Sequence, residues 1–383
     1  MVSVSEISDA KNDYNLNIPR YIDGQEEEDL QDIEAHLLGG IPVRDVEDLA
    51  AYWCVCPSLK DALFKPDERA GYFTLRVEKT KIKSTIFENT EFIEYSKKVE
   101  TTFKDWQNQV LSLLNNLQIG FKPKELIVIL SEKLLSSFDE NALIEKYDVY
   151  QKIMDYWFET MQDDAYLIST NGWKAEINAT KNSKGKENGW TCGLIPKMVI
   201  IAKYFAKAQE TIDKLAAEVE AIGQQIGTLK EENSGEDDLF AEVKNEVDKI
   251  AQAELIKRIR EIRGKSEFAD ELKVLQEYLL LTEKEAETNG KIKNSELDLD
   301  EKLLGKYKDL TVEEIRTLVV EDKWLKSLYN FVKREVERVS QKLAGRIIEL
   351  AERYEKPLPK LVKKVEESSR KVDDHLEKMG FVW

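Results

Sequence analysis

Side chains that carry nucleophilic or metal chemistry are scarce in this sequence of 383 residues. It has three cysteines, Cys54, Cys56 and Cys192, and two histidines, His36 and His375. A structural zinc site needs four Cys or His ligands at short spacings, and Cys54 and Cys56 have no other such ligand nearby. Neither histidine stands in a recognisable pairing with a serine or cysteine nucleophile. We therefore interpret the cysteines as reduced structural thiols and assign no catalytic, cofactor-binding or metal-binding residue.

Cofactor loops built from glycine are also absent from the sequence. Gly264-Lys265-Ser266 imitates the end of a phosphate-binding loop, but Ile259 occupies the position where that motif needs its first glycine. No two glycines are separated by a single residue, and backbone needs that spacing to approach a dinucleotide-type cofactor closely. We therefore expect no cofactor turn of this kind in the chain.

The charge of the chain is strongly negative and unevenly distributed. The formal net charge of −17 disfavours nucleic-acid binding by most of the surface, because phosphate contacts depend on clustered Lys and Arg. Residues 323–371 nevertheless hold fourteen Lys or Arg against seven Glu. This basic end predicts a salt-sensitive contact surface, and the candidate residues are Lys333, Arg334, Arg338 and Arg346.

The composition is that of a soluble, helix-rich protein. Hydrophobic residues make up 42% of the chain and charged residues 34%, and its length allows two or three domains with their own cores. No apolar run approaches the roughly 18 residues that suggest a membrane span. The N-terminus has no basic, apolar leader of the signal-peptide type. We expect a cytoplasmic protein without a membrane partner.

Apolar periodicity predicts a mainly α fold with minor β structure. Five amphipathic helices are predicted, over residues 92–117, 123–138, 147–161, 325–354 and 361–379. Alternation over 72–77 predicts a strand. Thr311, followed by Glu313 and Glu314, is typical of a helix start with an N-cap and an acidic first turn.

The most regular pattern is a heptad series that begins after Pro196. Its apolar positions, separated by alternating steps of three and four, are Met198, Ile201, Phe205, Ala208, Ile212, Leu215, Val219, Ile222, Ile226 and Leu229. Such a series predicts a coiled-coil helix. We take five of its members, Phe205, Ile212, Leu215, Val219 and Ile222, as a candidate partner seam.

A second apolar series follows a local break at Asn233-Ser234-Gly235. Its members are Phe268, Leu272, Leu275, Leu279, Thr282 and Ala286. Two such seams joined by a break predict a long antiparallel hairpin, with an ordinary helix bundle as the alternative. We expect the substitution Leu215→Asp to disrupt this arm and to spare the domain before Pro196.

Two tryptophans flank a lysine-rich loop between the predicted helices. Asn171-Gly172-Trp173 and Asn188-Gly189-Trp190 are turn signals, and the loop contains Lys181, Lys184 and Lys186. Either this loop contacts a DNA backbone or a partner, or it is solvated while its tryptophans pack inward.

Residues 12–21 read Asn-Asp-Tyr-Asn-Leu-Asn-Ile-Pro-Arg-Tyr, and their marker positions are Asn12, Tyr14, Asn15, Pro19 and Tyr21. This run resembles the segment that closes the catalytic domain in modification subunits of type I restriction-modification systems, which are adenine-N6 DNA methyltransferases. In that family the S-adenosylmethionine pocket and the Asn-Pro-Pro-Phe motif precede this segment, whereas only eleven residues precede Asn12 here. The resemblance implies the C-terminal half of such a subunit.

Further blocks carry the same resemblance along the chain. They are residues 147–150, 154–157, 161–164, 318–324 with Asp322-Lys323-Trp324, and 338–359. The Pro-Pro pair of the family's adenine-binding motif is missing, because no two of the eight prolines are adjacent. We therefore expect no methylation and no S-adenosylmethionine binding by this chain alone.

The resemblance implies an assembly role within a methyltransferase complex. In such systems the modification subunit docks on long helices of a specificity subunit, a restriction subunit is a further candidate partner, and DNA is contacted through the complex. The heptad seams suit docking, because an apolar helical stripe needs a partner helix to cover it. Periodicity alone also allows a free-standing coiled-coil adaptor, which is the alternative.

The sequence predicts four regions. Residues 1–24 are expected to be the end of the methyltransferase domain, 25–195 a helical domain, 196–305 the hairpin arm and 306–383 the C-terminal helices. The helices predicted over 325–354 and 361–379 either dock on the specificity subunit or close the core with a solvated basic face.

Overall fold

The computed structural model describes residues 30–181, 187–233, 238–244 and 250–380. Within them the fold is mainly α, with two small antiparallel sheets and a long helical hairpin, which confirms the predicted fold class. The segment from Asn12 to Tyr21 lies outside the described residues.

Two compact units divide the described chain. Unit 1 contains the residues up to Lys97 together with those from Glu337 onward, and unit 2 is Lys98–Val336. The four regions drawn from the sequence divide the chain differently and stay a prediction.

The helices and strands are numbered in chain order. The described helices are α1 (Ile33–Leu38), α2 (Val43–Glu47), α3 (Ala50–Val55), α4 (Pro57–Leu63), α5 (Ile82–Glu88), α6 (Thr90–Asn115), α7 (Pro123–Ser137), α8 (Lys146–Tyr156), α9 (Gln162–Asn171), α10 (Lys197–Tyr204), α11 (Ala206–Glu232), α12 (Gln252–Ile262), α13 (Ala269–Lys308), α14 (Val312–Thr317), α15 (Lys326–Tyr354) and α16 (Leu358–Lys378). The strands are β1 (Ile41–Pro42), β2 (Phe64–Pro66), β3 (Tyr72–Leu75), β4 (Ile177–Lys181) and β5 (Glu187–Cys192).

Unit 1 is built on a three-stranded antiparallel sheet in the order β1-β3-β2. The strand predicted over 72–77 is β3. It is the central strand, because its Phe73 pairs with Ile41 of β1 on one side and with Pro66 of β2 on the other. Phe64 is fully buried, and its ring meets those of Trp53 and Phe73 edge-on with centroids 6.1 Å away. Aromatic packing of this kind fixes α3, which carries Trp53, against strands β2 and β3.

Unit 2 packs amphipathic helices around buried tryptophans. Trp106 of α6 is fully buried, lies 5.1 Å from the Phe103 ring and donates its indole N–H to the Leu130 carbonyl of α7 at 3.3 Å. Helix α7 packs in turn against α8 and α9. The predicted helices over 92–117 and 123–138 are therefore confirmed as α6 and α7.

Two segments of π-helix were not predicted from the sequence. The first, Trp157–Met161, joins α8 to α9, and the second, Leu318–Leu325, joins α14 to α15. The end of α8 is joined to the second segment, because the Tyr156 hydroxyl donates to the Lys323 carbonyl at 3.1 Å.

The arm is an antiparallel pair formed by α11 and α13. Lys284 of α13 forms an ion pair with Glu218 of α11 at 2.9 Å, and further along α11 Lys230 lies 5.2 Å from the Tyr278 ring. Residue numbers thus rise along one helix as they fall along the other. This pairing confirms the predicted hairpin.

A small fold, which we call the arm tip, occupies the end of this hairpin. Its buried apolar cluster contains Ile222 and Ile226 of α11, Phe240, Val243, Leu255 and Ile262 of the connecting segment, and Leu275, Tyr278 and Leu281 of α13. The connection between the two seams is thus a packed structure in its described part and not a simple turn.

The predicted seams need correction at their ends. Met198 is 64% exposed, whereas Ile200, which the series does not contain, is buried beside Ile201. The helix stops at Tyr204 and restarts at Ala206, so α10 does not continue the line of α11. In α13 Ala286 is exposed, whereas Thr288 is buried. A straight helix with 3.6 residues per turn drifts away from a strict 3.5-residue repeat, so a contact line extrapolated along a long helix changes phase.

Candidate docking site

Helix α16 presents an apolar stripe that the described residues leave uncovered. Leu361, Val365, Val372 and Met379 lie on one side of the helix because their spacings are four or seven residues. Val365 is 68% exposed and Met379 73% exposed. We call these four residues the α16 stripe. Full burial of such a side chain is worth about 1.5–3 kcal/mol, so a covered stripe would contribute substantially to binding.

The sequence defines both ends of α16. Pro357 is the N-cap and Pro359 lies in the first turn, where its missing N–H costs no hydrogen bond. Gly380 follows the last turn with φ +88°, a left-handed conformation that only glycine adopts readily. Residues at its two ends therefore determine where α16 begins and where it ends.

Helix α1 lies beside the start of α16 and extends the apolar surface. The Asp32 side chain caps α1 by accepting the Ala35 N–H at 2.8 Å. Tyr354, the last residue of α15, donates its hydroxyl to Asp45 at 2.9 Å, and its ring lies 5.0 Å from that of His36. Leu38 remains 59% exposed. Tyr354 at the end of α15 thus contacts α1, and α1 is a second helix with exposed apolar side chains.

A groove of about 430 Å³ lies at this junction, bordered by Leu38, Gly39, Tyr354, Pro357 and Lys360 among others. Gly39 has φ +85°, and its carbonyl accepts a hydrogen bond from the Arg69 guanidinium. Apolar side chains such as Leu38 and charged ones such as Lys79 and Glu355 line the groove together, and a lining of this mixed kind can accept the side of an amphipathic helix.

Helix α13 of the same chain packs against the seam that was predicted to bind a partner. Ile212 and Ile222 are buried, Leu215 and Val219 are half-buried on α11, and α11 packs along α13. Phe205 is half-buried at the break between α10 and α11. A helix of the same chain therefore covers part of this seam, and its role as a partner surface stays a prediction. The α16 stripe is a second apolar surface, and the described residues leave it uncovered.

The four predicted basic residues all lie on α15 and differ in their surroundings. Lys333, Arg334 and Arg338 are exposed. Arg346 is half-buried and donates to Glu349 at 2.9 Å, so its guanidinium is already engaged. A contact role for the first three stays a prediction.

Two blocks that carry the resemblance meet inside unit 2. Lys323 and Asp164 form a buried ion pair, and the Trp324 indole N–H donates to the same carboxylate at 2.7 Å. Burial raises the pKa of Asp164, and the Lys323 ammonium opposes that shift. Both carboxylate oxygens of Asp164 have a donor, as is usual for a buried polar group in a structural cluster.

The structure favours one of the two alternatives for the tryptophan loop. Trp173 is buried and donates to the Leu117 carbonyl at 2.9 Å. Trp190 donates to Asp300 at 2.8 Å, and the Lys197 ammonium lies 3.8 Å from the centre of its ring. Both tryptophans therefore pack inward. Lys181 is exposed, whereas Lys184 and Lys186 lie outside the described residues.

The cysteines have the environment of structural thiols. Cys56 and Cys192 are buried, whereas Cys54 is exposed, and none of the three forms a disulfide. Burial raises the pKa of Cys56 to about 11 and raises that of Cys192, so neither thiol is activated as a thiolate. In the part of the chain that the structure describes, no three His, Cys, Asp or Glu side chains are grouped to hold a metal ion.

Comparison with known proteins identifies no relative of this chain, since no family model, no curated protein and no solved structure matches it. Among the described residues, no helix combines the length and the apolar character that crossing a membrane requires.

Proposed function

We propose that this chain is the C-terminal assembly portion of the modification subunit of a type I restriction-modification system. In this role it docks through the α16 stripe on helices of a specificity subunit. The chain supports adenine-N6 methylation and lacks the S-adenosylmethionine and Asn-Pro-Pro-Phe motifs itself. DNA and the restriction subunit are engaged through the assembled complex, in the cytoplasm.

The observation that carries the proposal is the exposure of the α16 stripe. An amphipathic helix that leaves its apolar side in water loses most of the free energy that normally stabilises such a helix. A partner helix laid along the stripe supplies that missing burial. The α1 side chains beside it enlarge the surface in the same unit.

The charges that flank the stripe favour a protein helix over a phosphate backbone. Lys363 and Lys364 are followed by Glu366 and Glu367, so positive and negative side chains alternate along the exposed sides of α16. Flanking charges of both signs specify partner and register in helical pairs. A phosphate surface would select one sign only.

The arm weakens the case for a free-standing coiled-coil adaptor. The heptad periodicity that suggested an adaptor is accounted for by α11 packing on α13 in one chain. The two segments around Asp164 and Lys323 that resemble the family are joined by a buried ion pair. An adaptor does not require these motifs. The assembly role therefore accounts for more of the sequence.

Co-purification with the specificity subunit encoded in the same genome tests the proposal. The double substitution Leu361→Asp with Val365→Asp places two carboxylates in the stripe, and we expect it to abolish co-purification. The matched control, Lys363→Gln with Arg370→Gln, changes the net charge equally on the opposite side of α16 and should retain the partner. Equal yields for both variants would overturn the docking role.

A further inference from the structure

The outer side of α12, in the arm tip, is basic, whereas the two long helices of the arm, α11 and α13, are acidic. Residues 257–265 hold five Lys or Arg and one Glu. Leu255 and Ile262 are buried in the tip cluster and Ile259 packs against it, so the apolar side of α12 is fully used inside the arm. The charged side consequently faces solvent.

Two of the five cations have carboxylate partners of their own. Arg258 makes two hydrogen bonds with Glu271, at 2.7 and 3.1 Å, and is mostly covered. Lys257 lies 3.7 Å from Glu254. Both groups are held by carboxylates of the arm, which makes them poor candidates for an outside ligand.

The other three cations form an exposed group that we call the tip patch. Arg260, Arg263 and Lys265 are exposed, and within the described residues none of them lies in an ion pair. Gly264, with φ +85°, turns the chain between Arg263 and Lys265. The space beside Gly264 is open, since a side chain there would meet no atom within 4 Å.

Folding of the arm gives little reason for three such cations. A positive charge near a helix C-terminus contributes about 0.3–1 kcal/mol by its interaction with the helix dipole, and one cation is enough for that. Within residues 260–265 Glu261 is the one acidic side chain, so the three cations keep a local excess of two positive charges that repel each other. Their placement therefore points to an anionic ligand.

We infer that the tip patch binds phosphate groups of a double-stranded DNA backbone. Guanidinium groups bind phosphate oxygens in pairs, and releasing the counterions of the duplex drives the contact. Helix α13 and the rest of the arm carry more Asp and Glu than Lys and Arg, which confines the contact to the tip. Anionic membranes fit less well, because the apolar side of α12 is already buried.

Fluorescence anisotropy with a labelled duplex of arbitrary sequence, titrated with the whole chain, tests this inference. Three phosphate contacts predict that log Kd changes with log salt concentration with a slope of about 2.7. The triple substitution Arg260→Gln, Arg263→Gln and Lys265→Gln should remove most of this slope and weaken binding at least tenfold at about 50 mM salt.

A matched control removes the same charge elsewhere on the arm. Lys214, Lys291 and Lys302 are exposed and each pairs with a carboxylate one turn away, so their triple substitution to Gln should leave affinity and slope within twofold of the wild type. Weakening by both triple variants alike, or by neither, would overturn the inference. So would absence of duplex binding by the wild type, or binding to phosphatidylserine vesicles in its place.

Circular dichroism of each variant establishes that the arm is intact, and Arg260→Lys with Arg263→Lys keeps the charge and should keep the binding. Loss of duplex binding in this second variant would overturn a phosphate contact based on charge. The measurement uses the chain without the specificity subunit, so its outcome is independent of the docking role.

Discussion

The ammonium group of Lys323 donates a hydrogen bond to Asp164 at 2.8 Å, although 159 positions separate the two residues. The same ammonium donates to the Leu194 carbonyl at 2.8 Å, so it joins the second π-helix to α9 and to the segment after β5. Because the pair is buried, each charge depends on the other for its solvation.

Removing one member of this pair is expected to destabilise unit 2 strongly. Asp164→Ala leaves the Lys323 ammonium and the Trp324 indole N–H buried without their acceptor. We expect a loss of about 3–5 kcal/mol in the free energy of unfolding, measured with urea. Lys291→Ala, which breaks an exposed pair with Glu287, should cost less than about 1 kcal/mol. Similar losses for the two variants would contradict the buried pair.

Glu314 is expected to make stability depend on acidic pH. Hydrogen bonds from Lys306, from Thr311 and from the Tyr204 hydroxyl lower its pKa from 4.5 to about 2. A carboxyl with a lowered folded pKa stabilises the fold above its unfolded pKa, and this contribution is lost as the pH falls from 4.5 to 2. Urea unfolding at these two pH values should show a smaller acid loss for Glu314→Gln than for the wild type. An identical loss in both proteins would refute this role of Glu314.

A comparison of Ala substitutions at Gly40 and at Gly71 tests how tightly the groove is packed. Both have positive φ, +89° and +90°, so Ala costs about 1–2 kcal/mol at either position. At Gly40 a new Cβ would also lie 2.8 Å from Asp67 Oδ2 and 3.3 Å from the Tyr72 Cβ, whereas at Gly71 it would meet no atom within 4 Å. Thermal unfolding should show Gly40→Ala to be the less stable variant, by about 1 kcal/mol or more. The opposite order would show that the groove is packed differently.

We expect Ile222→Asp to destabilise the arm tip more than Leu215→Asp does. Ile222 is buried in the tip cluster, so Ile222→Asp places a carboxylate where water cannot reach it. Leu215 is half-buried, and an Asp there can turn towards solvent. Limited proteolysis should cut the Ile222→Asp arm several times faster than the Leu215→Asp arm. Faster cleavage of the Leu215→Asp arm would place the stabilising cluster elsewhere on the hairpin.

Local structure could be predicted well from the sequence because its causes are local. The helix predicted over 92–117 is α6, Thr90–Asn115, and the predicted start at Thr311 has both hydrogen bonds of a capping box with Glu314. The a/d pattern of α11 correctly predicted an antiparallel partner helix, since an apolar stripe of that length must be covered.

The sequence left open whether the helix predicted over 361–379 docks on a partner or closes the core, because periodicity shows that a face is apolar and not what covers it. Helices α15 and α16 have similar amphipathic patterns, yet Leu343 and Ile347 of α15 are buried and Val365 of α16 is exposed. The arm tip also escaped prediction, since Phe240 and Leu255 are brought onto α11 by long-range packing. The groove at Gly39 depends on the distant contact between α1 and α16.

Hydrogen–deuterium exchange of the chain, alone and with the specificity subunit encoded in the same genome, tests the docking role most directly. Exposed amides of α16 should exchange quickly in the free chain and at least tenfold more slowly in the complex, because a covering helix suppresses local opening. The buried side of α11 should exchange at the same rate in both states. Unchanged exchange in α16, with protection confined to α11 or α15, would contradict docking through the α16 stripe.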